Sequence, residues 1–498
     1  MANDMSDVSA STITSPSAWA TARGRVARLQ SLLERDGLLV VAVAAFAAVL
    51  ITHLRTALET DGWMALLSGR IVAAHGLPSH DTLTIWAHGR PWTDQQWLAQ
   101  LVLYELDRLG GLTLVLLVHA ALVVAAVAGA ATLARRLGGS ARSATWISLP
   151  MWPALWPEAS VMRPQTFAYP LFVAVLWLLL EDRRSRSRRV YLVLPLLVLW
   201  ANLHGSVLVG AALASAYGGL ETIRSLRHAP RRLDGRSLVL LCAPWLCVLA
   251  SPYATSLPHY YRLIFSSRFG SYVTEWAPTT LTLARAPYYV LALGGIWLLG
   301  RASRRASSFE TVAFLGMTFL AFDAVRNGVW LALLSLVVLP RLLDSLRAPA
   351  VEPKRVNRLL ALAMIAGVAV ATIAVALEPA SWLEQNYPAA AANAAAEAAG
   401  PSGRIFANER YADWLVFEHP RLAGRIAYDS RFELLTSRQL RAVTAFRSLV
   451  AGWRSTVRGY RVLVLNRIDD AKPIRALLRS GQAHVIDRRG PVVVIRLR

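Results

Sequence analysis

The sequence predicts a polytopic α-helical membrane protein of about eleven transmembrane helices, followed by a small extracytoplasmic α/β domain. Three observations predict it. Apolar residues make up 55% of the 498, and they fall into separate blocks rather than amphipathic stripes. The blocks run about 15–22 residues, close to what a helix needs to cross a hydrocarbon core of roughly 30 Å. The short segments between alternate blocks carry arginine, as the positive-inside bias requires. The last hundred residues or so lose this pattern and alternate strand-like with helical runs.

Residues 1–36 are rich in Ser, Thr and Ala and then basic (Arg23, Arg25, Arg28, Arg35). They read as a cytoplasmic tail with an unstructured start. The run 38–54 resembles a signal-peptide core in composition. Its length, and its place in a consistent threading, make it the first retained helix. The full set of segments is 38–54, 112–134, 144–159, 165–181, 190–204, 205–223, 237–252, 287–300, 309–323, 327–341 and 358–378. The loops this leaves inside are all basic: Arg135, Arg136 and Arg142, then 183–189, 224–236, Arg301 with Arg304 and Arg305, and 341–358. Eleven spans place the N-terminus inside and the C-terminal domain outside. The Ala- and Arg-rich composition, with lysine only at Lys354 and Lys472, suggests a GC-rich bacterial genome, so the membrane of this threading is expected to be a bacterial cytoplasmic membrane.

Four regions then face outward: loop one (55–111), a turn around Arg163, the loop 253–286, and everything after about 379. The resulting plan is a basic tail (1–36), a transmembrane domain (37–378), an Ala-rich linker (379–399) and an α/β domain (400–498). In that last domain, strands are expected at 404–407, 425–428, 461–465, 484–486 and 491–497. Helices are expected at 409–418, 437–449 and 471–480. Gly490-Pro491 turns the final two strands into a hairpin.

Several function classes are excluded. A net charge of +22 would suit nucleic acid, but most of the arginines lie in short loops between apolar blocks. Cys242 and Cys247 share one apolar block and are poorly placed for a disulfide in the exported part. No P-loop, dinucleotide fingerprint or nucleophile elbow is present. His75, His80, Asp81 and His88 match no tight metal-ligand spacing.

Loop one is too long and too patterned to be a plain connector. Trp63, Leu66, Leu67 and Ile71 follow helical spacing, which predicts an amphipathic helix lying in the membrane interface. A second helix begins near Asp94, where Thr93 and Gln96 form a capping-box signature. Trp97, Leu101 and Tyr104 make its apolar stripe, and Gly110-Gly111 ends it. Glu59 and Asp61 sit where the first span emerges. A carboxylate there can take a proton from an acceptor hydroxyl, and a second can orient the acceptor or hold a divalent cation such as Mg or Mn. The alternative is that they mark the polar boundary, with Asp61 as the N-cap of the next helix.

Other outward polar groups share that surface. Arg163, followed by Pro164-Gln165, has the planar, bidentate fork that suits a phosphate, though an interfacial arginine also snorkels. Asn202 and His204 lie in an apolar hairpin, where polar groups are costly and face an interior or a cavity. Asp323 and Arg326 are spaced to pair on one helical face, which leaves Arg326 as either a structural partner or a second phosphate ligand. Glu275-Trp276 sets an acid beside an aromatic platform, a combination suited to sugars and also found in aromatic belts.

Glu59-Thr60-Asp61 after the first span resembles the modified acidic motif of the GT-C membrane glycosyltransferases, among them the protein O-mannosyltransferases and lipid A aminoarabinose transferases. The chain resembles more closely a bacterial group of that type. The shared features are Asp61-Gly62-Trp63, Gly76-Leu77-Pro78 with Asp81, Trp97-Leu98 with Gln100, Arg163-Pro164-Gln165, and Trp200-Ala201-Asn202-Leu203-His204-Gly205. Ser251-Pro252-Tyr253, Glu275-Trp276 with Pro278, Arg326-Asn327 and Asp429-Ser430-Arg431 complete the set. Tyr411-Ala412-Asp413-Trp414 stands where that group often has a Gly-Gly-Tyr-type segment.

The resemblance implies a polyprenyl-phosphate-linked sugar donor drawn from the lipid, an envelope acceptor hydroxyl, and Asp61 as general base with Glu59 as companion. Arg163, Gln165, His204, Glu275, Trp276, Arg326 and Asp81 are the expected substrate-binding residues. Two other classes compete: a lipid or solute transporter or flippase, and a non-catalytic envelope scaffold with a polymer-binding tail. The second draws on the basic tail, with 19 Arg or Lys against 10 Asp or Glu from residue 379 on.

Overall fold

The computed structural model of the chain describes residues 18–228, 234–266, 272, 274–347 and 354–498. The expected unstructured start (1–17) and parts of two arginine loops (229–233 and 348–353) lie outside the described residues.

Each of the eleven apolar segments falls on a helix. They are α1 (Ala18–Ala57), the second half of α3 (Trp97–Arg136), α4 (Ala141–Ala159), α5 (Ala168–Arg184), α6 (Val193–Leu203), α7 (Val207–His228), α8 (Gly235–Val248), α10 (Ala286–Arg301), α11 (Ser308–Asp323), α12 (Gly328–Asp344) and α13 (Lys354–Leu377). Among the described residues, six of these helical stretches are long and apolar enough to cross a membrane. α1 starts at Ala18, well before the apolar run, so the basic segment forms its first turns. α13 pairs mainly with α1 and turns Leu359, Leu360, Ile365, Val370 and Ile373 outward, a surface fit for lipid.

The helices share two ends. At one end the ion pairs Arg135–Asp36, Arg236–Asp182, Arg341–Glu310, Arg186–Glu221 and Arg358–Glu34 tie the arginine-bearing loops together. The opposite end carries loop one and the C-terminal domain.

In loop one, α2 (Thr60–His75) is the expected amphipathic helix, but both of its faces are covered. It packs on α3 beneath and on α15 (Glu409–Glu418) above, with Trp63 against Tyr387 and Phe417. A helix sandwiched in this way is a packing element rather than an interfacial float. Its N-cap is Glu59, whose carbonyl accepts from Gly62 and Trp63, so Asp61 lies in the first turn instead of at the cap. The expected capping box before α3 does not form. Gln96 is the N-cap without a side-chain bond, because Thr93 donates to Ser256 and Asp94 is buried. α3 breaks at Gly110-Gly111, where Gly111 has φ +67°, a conformation glycine adopts without strain. Its first thirteen residues therefore belong to loop one and the remainder to the helical bundle.

The C-terminal domain is a four-stranded sheet of order β1-β2-β4-β3, built from β1 (Ile405–Ala407), β2 (Val462–Asn466), β3 (Ala483–Arg489) and β4 (Val492–Leu497). β1 and β2 are parallel, the other pairs antiparallel, and β3–β4 is the expected hairpin. Side chains alternate between two faces, as the strand period of two demands. Ile405, Val462, Val464, Val492 and Val494 join the core that runs down through α2 into the bundle. Phe406, Leu463, Leu465, Val493 and Ile495 face a second core with α16 (Ser437–Ser448) and α17 (Ala471–Arg479). The alanine run forms α14 (Ala389–Ala399) and lies on the sheet, its small side chains buried against it.

The expected strand 425–428 pairs beside β1 by isolated bridges. On its other side it takes a segment of loop one: Ile85 N–H donates to Ile426 O at 2.8 Å and Trp86 N–H to Ala427 O at 3.0 Å. Loop one thus extends the C-terminal sheet by one short edge.

Candidate active site

The site grows from the segment 158–166, which links α4 to α5. α4 carries Pro150, Pro153 and Pro157 and ends at Ala159. Two contacts hold the linking segment. Met162 N–H donates to Ala57 O at 2.8 Å, and His119 of α3 bridges Ala159 O (2.9 Å) and the Thr166 hydroxyl (3.0 Å). Gly62 lets α2 approach, since a Cβ there would meet Leu58 and Met162.

This framework sets Arg163 at the centre of a group of carboxylates. Its guanidinium makes two parallel bonds of 2.9 Å to Glu275, a contact of 3.3 Å to Glu158 and one of 3.6 Å to Asp61. Arg163 is 5% exposed and Glu158 2%, while Asp61 keeps 46% of its side chain open. A buried arginine is tolerated when paired and hydrogen-bonded in this way. Its charge is consumed by three acids, and what it offers outward is two oriented, half-open carboxylates, Asp61 and Glu275.

Glu275-Trp276 is carried on a loop held to the end of α11. Thr279 N–H donates to Phe322 O (3.0 Å), its hydroxyl donates to Ala321 O (2.6 Å), and Val325 N–H donates to Ala277 O (3.2 Å). The same contacts bring up Arg326. The expected Asp323–Arg326 pair is absent among the described residues. α11 ends at Asp323 and Ala324 is extended, so the two residues leave the shared helical face. Arg326 instead lies over the Trp276 ring, 4.4 Å from its centroid, and donates to Gln165 Oε1 at 3.1 Å. It forms no ion pair among the described residues and is half-buried.

The structure therefore brings together Asp61, Arg163, Gln165, Glu275, Trp276 and Arg326. Glu59 stands beside them, 3.9 Å from Arg410 of α15. Burial pushes its carboxyl up, with Arg410 and Arg163 opposing that push. For Glu275 burial acts upward too, but Arg163 and Arg326 outweigh it and hold the carboxyl below its usual value. His204 caps α6, takes a hydrogen bond from Ser206 N–H, and lies within electrostatic reach of Arg326 and Arg163. Asn202 is committed to Trp97, Val198 and Ala250.

Asp81 is placed elsewhere. It is fully buried, accepts from Leu83 N–H, Thr84 N–H and the Thr84 hydroxyl, and pairs with Arg431 of the C-terminal domain. Arg431 also binds Asp429 and lies 4.2 Å over Trp92. This is a buried clamp between loop one and the C-terminal domain, with no open face for a substrate.

Three groups near the site were missed in sequence. Glu158 had a usable signal: it is an acid inside the apolar segment 144–159, five residues before Arg163. Asp94 and Glu433 had none, because the charges around them come from segments far away in the sequence. Burial raises each carboxyl to about 7. Among the described residues no three His, Cys, Asp or Glu side chains converge as metal ligands, and the cation among the site carboxylates is Arg163 itself.

No protein-family model and no curated protein matches the chain. Solved structures do. ArnT from Cupriavidus metallidurans, in the apo state, aligns with a TM-score of 0.51 at 15% identity, over 91% of this chain and 97% of that one. Its complex with undecaprenyl phosphate gives 0.48 at 16% identity over the same shares. The oligosaccharyltransferase AglB from Archaeoglobus fulgidus, with an inhibitory peptide and a dolichol-phosphate, gives 0.49 at 12% identity, over 86% of this chain and 69% of that one. The first likeness shows the fold, and it is GT-C-like.

Proposed function

We propose that this GT-C-like chain is a membrane glycosyltransferase that moves a sugar from a polyprenyl-phosphate-linked donor to an acceptor hydroxyl at the outer face of a bacterial cytoplasmic membrane. The observation that carries the reading is the gathering of half-open Asp61 and Glu275, oriented by Arg163, beside an Arg326 that forms no ion pair among the described residues.

The division of labour follows from the geometry. Arg326 is the cation left for a phosphate, and its charge-assisted bonds would stabilise the negative charge that grows on the leaving group. Trp276 and Gln165 hold it in place from either side. Asp61 contacts Arg163 only at 3.6 Å, which leaves its oxygens available to accept a proton. The acceptor O–H gives its proton to Asp61, and the oxygen attacks the anomeric carbon. The bond from that carbon to the phosphate oxygen breaks, and polyprenyl phosphate leaves with the electron pair. Glu158 and Glu275 fix Arg163 so that Asp61 is positioned before substrate arrives.

Asp61→Asn tests the reading. In membranes supplied with polyprenyl-phosphate-linked sugars, transfer of labelled sugar should fall by about a hundredfold or more, the scale of a lost general base. Transfer at the wild-type rate would sink the assignment.

A further inference from the structure

The two faces of the C-terminal sheet meet different neighbours. One joins the core of the bundle through α14 and α15, and the other is covered by α16, α17 and the 3-10 turn Trp453–Val457. That second layer is packed as a unit. α16 lies against both α17 and the turn, the Thr456 hydroxyl donates to Ala442 O at 3.3 Å, and the Phe446 and Trp453 rings stand 5.9 Å apart. Leu440, Val443, Phe446, Ile474 and Leu477 are buried against the sheet. What remains outward is a surface turned away from the helical bundle.

That surface is strongly cationic. α17 exposes Lys472, Arg475 and Arg479, at i, i+3 and i+7, so all three share the face opposite Ile474 and Leu477. They span about 10 Å along the helix axis. α16, packed on α17, exposes Arg438 and Arg441, and Arg454 and Arg458 are exposed at the turn. No acid occurs between Glu433 and Asp469, nor within α17, and exposed Asp469 lies at the turn that precedes it. None of these cations forms an ion pair among the described residues. Arg447, on the same α16, is by contrast paired with Glu409 and lies 3.8 Å from Asp470. Other elements on this side of the molecule are mixed or sparse in charge. α14 carries Glu397, α15 carries Glu409 and Glu418, and α9 (Leu257–Ile264) has one arginine, Arg262, bonded to Pro258 O. A solvated face normally intersperses both signs, and like charges one helical turn apart repel. An unmixed stripe is relieved when an anionic partner lies on it.

We propose that this face docks an anionic polysaccharide, a chain carrying carboxylate or phosphate groups at intervals. The cations stand on the outer surfaces of two helices and a turn, so they match repeated charges along a polymer and not one small anion. Arginine forks bind carboxylate and phosphate bidentately. Trp453, half-buried with the Arg454 guanidinium 5.3 Å over its ring, adds apolar area suited to the C–H face of a sugar. A bilayer is the weaker partner, because the membrane-spanning bundle joins the opposite face of the sheet. Docking is independent of transfer at Asp61: it holds the chain at the polymer whether or not that polymer is the acceptor.

The full-length protein in phosphatidylcholine nanodiscs provides the test. The probes are fluorescent polygalacturonate, neutral dextran of similar length, and vesicles containing phosphatidylglycerol. Wild type should bind polygalacturonate and not dextran, and the affinity should fall roughly tenfold or more between about 50 mM and about 500 mM NaCl. Lys472→Gln, Arg475→Gln and Arg479→Gln together should weaken polygalacturonate binding by roughly tenfold, the scale of three exposed charge contacts. Lys472→Arg with Arg475→Lys and Arg479→Lys keeps the charge and should bind as wild type does. A control takes three exposed charges from the opposite end of the molecule, as Arg183→Gln, Arg188→Gln and Arg189→Gln, and should also bind as wild type does. A wild type that does not bind polygalacturonate overturns the proposal. Equal weakening by the control overturns it too, since net charge would then be the cause. So does a loss in the α17 variant confined to phosphatidylglycerol vesicles, which would make a membrane surface the partner.

Discussion

At the scale of single residues, the site is organised by a charge that is spent internally. Arg163 has the right chemistry for a phosphate, but its fork is filled by Glu275 and its flanks by Glu158 and Asp61. That could not be read from Arg163-Pro164-Gln165, because the partners lie on α4, α2 and a loop more than a hundred positions away. Glu158 could have been suspected from its place in an apolar run. Asp94 supplies a pH dependence. Its carboxyl ionises at about 7 in the folded protein, raised by burial, with bonding to Gln100 and the charge of Arg431 opposing and that of Glu433 adding. The unfolded chain ionises near the ordinary aspartate value of about 3.9. A raised folded value favours the fold while the group is protonated in both states. That contribution is complete below about pH 4 and is lost as pH rises through about 7. Asp94→Asn should therefore raise the apparent melting temperature at pH 8 relative to wild type and change it little at pH 4. A thermal melt of the purified protein at the two pH values checks this.

At the scale of elements, the clamp of Asp81, Arg431 and Asp429 shows what holds loop one to the C-terminal domain. All three are buried, so removing the cation strands two carboxylates away from water. Arg431→Ala should cost about 3–5 kcal/mol, the usual penalty for breaking a buried pair. It should expose the junction between the domain and α14, read as faster limited proteolysis near residues 379–400 with the helical bundle intact. Sequence patterning anticipated α2, the Gly110-Gly111 break, four of the five expected strands and the three helices of the tail domain, because hydrophobic period and turn residues are local properties. It did not anticipate the cover over α2, the failed capping box at Thr93 or the pairing of 84–86 with 425–428. Each of those is set by a tertiary partner, and tertiary contacts override local preference.

At the scale of the whole molecule, the eleven apolar segments were legible because hydropathy blocks need no knowledge of partners. The two-ended arrangement of ion pairs agrees with their alternation. The threading predicts that a cysteine placed at exposed Arg458, in a Cys242→Ser, Cys247→Ser background, is labelled by an impermeant maleimide in spheroplasts. A cysteine at exposed Arg183 should be labelled only after lysis. The reverse pattern would invert the topology. The seam between loop one and the tail also bears on biogenesis. Asp81 and Arg431 stand 350 positions apart. At a synthesis rate of about 5–20 residues per second, loop one waits on the order of 20–70 s for its partner segment to emerge. During that interval the edge at 84–86 is unpaired and Asp81 lacks its cation. The arrangement therefore works as an order of assembly: the face that carries Asp61, Arg163 and Glu275 is covered only after the last domain has been made, and a chain that stalls before then carries a bundle without that cover.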